Sequence, residues 1–128
     1  MTIQRLSVET APTLHHPGKQ SVQMVWHENE PDALITMTRV TMEPGTVSTR
    51  HSHASSEQTW IVESGRATLL LAGSETAELG AGDIIRTPAG DVHGIENTGS
   101  EPFVYLTVTA PPEDMTKFYV GRKDAVEA

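Results

Sequence analysis

The sequence contains no cysteine. That absence removes disulfides, thiolate metal ligands and cysteine nucleophiles together. Aromatic residues are scarce as well: two Trp, two Tyr and two Phe make up 5% of the chain, within an apolar content of 37%. The core must therefore be built mainly from Val, Ile, Leu, Met and Ala. Positive charge is short: nine Lys and Arg stand against 17 Asp and Glu, a formal net charge of −8. Nucleic acids and anionic membrane surfaces call for the opposite balance, so neither is an expected partner. An anionic small molecule remains compatible, because one bound cation reverses the field locally. No apolar run approaches the roughly 18 residues of a membrane span. The opening MTIQRLSVETAP carries no apolar stretch of the secretory kind, and the expected location is the cytoplasm.

What is present is a series of short apolar runs broken by Gly, Pro, Asn and Asp. The 128 residues suit one domain. Residues 21–26, 33–42, 58–65, 67–73, 83–87, 91–97 and 102–110 each have strand length and turn chemistry at their ends. Gly73-Ser74 is placed to close a hairpin between residues 69–71 and 76–79. Pro88-Ala89-Gly90-Asp91 and Asn97-Thr98-Gly99-Ser100 read as turns. Regular short strands without a sustained helical period predict an all-β sandwich or barrel. The end differs: PPEDMTKFYVG places Met115, Phe118 and Tyr119 at i, i+3 and i+4, which fits a short C-terminal helix or an arm lying on the barrel.

The chemistry concentrates at the histidines. His51 and His53 are spaced i and i+2, one face of a strand, with about 7 Å between them. Imidazoles so placed can converge on one ion at about 2.1 Å each. Around them the sequence reads Gly45-x5-His51-x-His53, then Glu57-Gln58, then Gly65. Downstream it reads Gly82-x5-Pro88-x-Gly90-x2-His93-x3-Asn97, with every fixed position filled. In these two motifs the chain resembles the cupin superfamily, as a small single-domain cupin of the RmlC-like kind. The resemblance implies a double-stranded β-helix, or jelly-roll barrel, over residues 1–128, with one motif at 45–65, the other at 82–97 and a C-terminal arm at 111–128. It further implies that His51, His53 and His93 hold one divalent metal ion inside the barrel. Zn, Ni, Fe, Mn and Co all suit imidazole with an oxygen ligand.

The family's first motif usually supplies a Glu as well, and here two neighbours compete for that place. Both spacings are tolerated after His53, while the distance back from Gly65 favours Gln58. Alternation favours it too. With Gln58 inward, Trp60 and Val62 are inward, and Glu57 and Glu63 face solvent. With Glu57 inward, Glu63 is buried without a partner, at a cost. Gln58 is thus the expected fourth ligand, with Glu57 as the alternative. The difference is chemical: an amide oxygen leaves the full charge of the ion in place, and a carboxylate reduces it. A three-His-one-Gln set resembles the small cupins that convert unsaturated uronates to linear keto-sugars.

Trp60 then faces the cavity, either against substrate or as core filling. Tyr105 and Thr107 share one face of the strand at 102–110 and are candidates for the opposite pocket wall. The other face, Val104, Leu106 and Val108, is purely apolar and suggests a homodimer contact. Arg39, Arg50 and Arg86 read as surface charges, His15-His16 as a loop pair away from the metal, and Asn97 as a turn support. The expected function is metal-dependent isomerisation, tautomerisation or elimination of a small oxygen-rich keto or enol substrate, sugar-acid-like in kind. The alternatives are an iron-dependent dioxygenase and a non-catalytic cupin that binds a metal or small ligand. No catalytic residue beyond the metal ligands is assigned.

Overall fold

The structure, a computed structural model, describes residues 3–124. Eleven strands run in chain order: β1 (Thr13–His16), β2 (Lys19–Val25), β3 (Thr36–Met42), β4 (Val47–His51), β5 (Glu57–Ser64), β6 (Arg66–Leu71), β7 (Thr76–Gly80), β8 (Ile84–Thr87), β9 (His93–Glu96), β10 (Phe103–Ala110) and β11 (Gly121–Lys123). Two 3-10 turns, Val8–Thr10 and Met115–Phe118, are the only helical elements among the described residues. All strand pairs are antiparallel. One sheet has seven strands in the order β11-β1-β2-β3-β10-β5-β8, and the other has four in the order β4-β9-β6-β7. This is the double-stranded β-helix that the sequence motifs imply.

The inward faces explain how the barrel is filled at one end and hollow at the other. Along β3 the buried residues are Thr36, Thr38, Val40 and Met42, and along β10 they are Phe103, Tyr105, Thr107 and Thr109. The register puts Phe103 against Met42, Tyr105 against Val40, Thr107 against Thr38 and Thr109 against Thr36. On the other side of β10, Val62, Trp60 and Gln58 of β5 continue the same rows. Each strand therefore changes from apolar to polar in the same direction. The apolar ends meet Ala67, Leu69, Leu79 and Ile95 in one packed cluster, where burial and dispersion hold the barrel together. The polar ends surround a cavity. Val104, Leu106 and Val108 lie on the outward face, half-exposed beside Ile61 and Ile84.

The expected hairpin is present, with Leu70 opposite Thr76 and Gly73 at φ 70°. Gly65, which closes the first motif, lies at φ 88°, and a Cβ on it would strike the Pro102 carbonyl. Glycine alone satisfies both conditions. The structure departs from the sequence reading at both ends. His15 and His16 belong to a strand, β1, which pairs with β2 and β11. The C-terminal element is a single 3-10 turn capped by Asp114, whose carboxylate accepts from Thr116 N, and the chain then returns as β11. Residues 125–128 of the expected arm lie outside the described residues. No helix among the described residues is long and apolar enough to cross a membrane.

Candidate metal centre

His51 is the last residue of β4, and His93 is the first of β9, directly opposite it in the register. A register shift between Ser48 and His51 turns the end of β4 inward. His53 does not share a strand face with His51, because β4 ends before it. It stands in the following loop, pinned where its carbonyl accepts from Gly90 N at 2.8 Å. The loop, and not strand pleating, brings the pair together. The potential ligand atoms of His51, His53 and His93 all lie within 4.8 Å of one another. Their ring centroids are 4.5–5.2 Å apart.

Each ring is oriented from behind. His51 Nδ1 donates to the Thr49 carbonyl at 2.7 Å, and His93 Nδ1 donates to the Asp91 carbonyl at 3.0 Å. His53 Nδ1 donates to Glu113 Oε2 at 2.5 Å. A carbonyl or carboxylate can only accept, so Nδ1 carries the hydrogen and Nε2 carries the lone pair. The Nε2 atoms of His53 and His93 are fully buried with no hydrogen-bond partner. Burial lowers the pKa of His51, and it pushes that of His93 down to about 4, with the neighbouring histidines acting in the same direction. Clustered imidazoles, with unpaired Nε2 atoms at His53 and His93 and second interactions at every Nδ1, are the donor set a divalent cation requires. The residues present fit the group.

Gln58 is buried and points into the cavity beside these histidines. Its orientation is fixed by chemistry. The Trp60 indole is only a donor and lies 3.2 Å from Oε1, while Nε2 donates to Thr109 Oγ1 at 3.0 Å. One lone pair of Oε1 is left over. Glu57 faces outward and pairs with Arg86 at 2.8 Å. Trp60 is at once core and wall: it packs on Tyr105 and lies edge-on to His93, with ring centroids 5.2 and 5.6 Å away. Tyr105 is buried on the same wall, and burial raises its pKa. The buried Thr107 hydroxyl beside it has no partner. Arg39 is an outer-face residue paired with Glu63 at 2.9 Å. Arg50 donates to the Leu71 carbonyl, and buried Asn97 donates to the Met42 and Glu101 carbonyls.

Sequence reasoning missed the residues that the C-terminal segment brings. Glu113 sits behind His53, held by a mutual pair of bonds with Thr36: its amide donates to Thr36 Oγ1 at 3.1 Å, and that hydroxyl donates to its carbonyl at 3.2 Å. Ser56 Oγ donates to the Pro111 carbonyl at 2.8 Å and fastens the same segment. Met115, Phe118 and Tyr119 then close one side of the cavity, with the Phe118 ring 5.1 Å from that of His51. Lys19 was missed too, and it lines the cavity from the start of β2. The signal for Glu113 was the first of two adjacent acids after a Pro-Pro pair, which nothing local ties to a histidine sixty positions away. The enclosed space is about 440 Å³, room for a small molecule.

The cupin domain family pattern matches residues 38–109, more than half of the chain. An uncharacterized conserved protein with a double-stranded β-helix domain from Klebsiella pneumoniae is similar at 32% identity and TM-score 0.60, over 71% of this chain and 70% of that one. KdgF from a Halomonas species is similar at 22% identity and TM-score 0.67, over 77% and 84%. A predicted oxalate decarboxylase from Thermotoga maritima is similar at 20% identity and TM-score 0.71, over 87% and 99%. No curated protein matches. The motifs, the double-stranded β-helix, the histidine cluster and the family match lead to one assignment: the chain belongs to the cupin family.

Proposed function

We propose that this cupin is a metal-dependent enzyme that isomerises, tautomerises or eliminates from a small keto or enol compound of sugar-acid kind. The observation that carries the proposal is the pair of buried, partnerless Nε2 atoms of His53 and His93, which converge with His51 beside the neutral Gln58. His51, His53 and His93 would hold the ion through Nε2, with Gln58 Oε1 as the oxygen donor. A divalent ion there supplies Lewis acidity toward a carbonyl or enolate oxygen. The chain's own residues do the rest. Thr109 and Trp60 keep the Gln58 amide from rotating, so its oxygen stays on the cavity side. The unpartnered Thr107 hydroxyl offers one hydrogen bond to a substrate oxygen. Trp60 and Phe118 give the pocket flat apolar walls that exclude water from the reacting carbons.

With Glu57 turned away to Arg86, no carboxylate would be a direct ligand, and an ion held by His51, His53, His93 and Gln58 would favour enolisation over oxygen activation. KdgF, a structural relative at low identity, supports the fold for such a role and no more. The test is hydrogen exchange in deuterated water. Metal-loaded protein, kept free of oxygen, should exchange the α-hydrogens of 2-keto sugar acids, and His51→Ala should not. Exchange that survives in His51→Ala would sink the proposal. So would turnover of such substrates only with uptake of oxygen.

A further inference from the structure

We propose that Lys19 is the anion anchor of the cavity, so that the natural ligand carries a carboxylate bound at Lys19 and a keto or hydroxyl oxygen bound at the histidine cluster. This deepens the proposed function and rests on it for the second contact point only.

Several independent observations place Lys19 in this role. Among the described residues, the cavity wall contains Lys19, the three clustered histidines and His16, and no Asp or Glu. The chain has 17 acids and nine bases, so a wall with a cation and no anion runs against its overall composition. The other basic residues with close acidic partners lie outside: Arg39 with Glu63, Arg86 with Glu57, and Arg122 with Glu28 and Asp124. No carboxylate lies within ion-pair distance of Lys19 among the described residues. Its ammonium has three hydrogens to donate and uses one, to Ser48 Oγ at 2.8 Å. It also stands 4.6 Å from the centroid of the Tyr119 ring, which steadies a cation without neutralising it. A half-buried ammonium left in that condition costs free energy in the absence of an anion.

Its position is built. Lys19 begins β2 directly after Gly18, at φ 75°, where a Cβ would collide with the Thr46 hydroxyl. The Gly18 carbonyl accepts from Glu43 N at 2.8 Å and from Thr46 Oγ1 at 3.2 Å. The β1–β2 turn is thereby locked onto the loop that leads into β4, which carries both Ser48 and His51. Lys19 and the histidine cluster are thus fixed relative to each other through one strand. Both line the same cavity. The inward parity of β2 adds Ser21 next to Lys19, buried and polar on the same wall. An ion at the histidines and an ammonium at Lys19 make two positive points on one pocket, the pattern for a small keto or hydroxy acid.

The experiment compares pyruvate with pyruvamide, which share the keto group and differ in the charge of the carboxyl end. Binding is followed by the visible spectrum of cobalt(II)-loaded protein and, in metal-free protein, by amide NMR shifts. Wild type should prefer pyruvate about tenfold or more, the scale of one charged hydrogen bond. Lys19→Met should erase the preference while leaving cobalt content and pyruvamide binding unchanged, and Lys19→Arg should keep it. Folding of Lys19→Met is checked by its melting temperature, with Lys19→Gln as a second neutral variant. A preference that survives in both neutral variants overturns the proposal, as does a wild type with no preference. The metal reading fails separately if cobalt does not bind. Lys19 is still upheld in that case if the metal-free protein shows a preference that Lys19→Met removes.

Discussion

Glu113 gives His53 the strongest of the three rear contacts, a carboxylate where His51 and His93 have carbonyls. Such outer partners set ring orientation and basicity. Glu113→Ala should weaken divalent-metal binding about 10- to 100-fold, and Glu113→Gln, which keeps an acceptor, should weaken it less. Competition with a chromophoric chelator measures both; equal affinity in Glu113→Ala and wild type would remove the residue from the site. Lys19 makes a pH prediction. Burial lowers its pKa from 10.5 to about 8. The unfolded chain therefore holds more protons between those values, and the fold gains stability as pH rises through that window. Below pH 8 the buried charge opposes folding, so Lys19→Met should melt higher than wild type at pH 7, and the gap should close above pH 10.5. Melting curves at pH 7 and 11 decide it; a variant that melts lower at pH 7 would mean that Lys19 serves the fold. At this scale the sequence was legible where alternation applies. Period two along β5 faces Gln58 inward and Glu57 outward, and the same rule divides Tyr105 and Thr107 from Leu106. Lys19 and Glu113 were not legible, because each acts on a residue distant in the sequence: Ser48 of β4, and His53 in the loop after it.

Among the elements, β4 and β9 matter most, since their pairing sets the separation of His51 and His93. Gly94 permits it. A Cβ there would sit 2.6 Å from the Ser48 carbonyl oxygen and 3.0 Å from Arg50 N. Gly94→Ala must push β4 off β9, at about 1–3 kcal/mol for forced overpacking, and should carry His51 away from His93. Weaker metal binding together with a lower melting temperature is expected; a loss of stability with metal affinity intact would show that the two strands do not set the site. The strands with apolar alternation were readable in advance. β1 and β11 were not: β11 is three exposed residues, and β1 is half histidine. β11 is an edge strand, and β1 beside it buries only Leu14, so neither carries a hydrophobic period to read. Three apolar positions left the C-terminal segment open between a short helix and an arm. Those positions line the cavity from a single 3-10 turn and the extended residue that caps it, which spacing alone does not separate from a longer helix.

For the molecule as a whole, the two sheets close an apolar plug at one end and leave a polar cavity at the other, with the histidines, Gln58 and Lys19 all on the hollow side. The motifs from Gly45 to Asn97 made the barrel and its histidine cluster legible. The contents of the opposite wall depend on how the N-terminal hairpin and the C-terminal segment fold over the mouth, and no spacing in the sequence encodes that. The central claim is that His51, His53 and His93 hold one divalent ion. Elemental analysis of protein purified without added metal tests it most directly, on wild type and on His93→Ala. The account predicts a single bound divalent ion per chain in wild type, and its loss in His93→Ala with the fold retained by circular dichroism. Metal-free wild type that takes up no Zn, Ni, Fe, Mn or Co on dialysis, or undiminished metal in the variant, would contradict it.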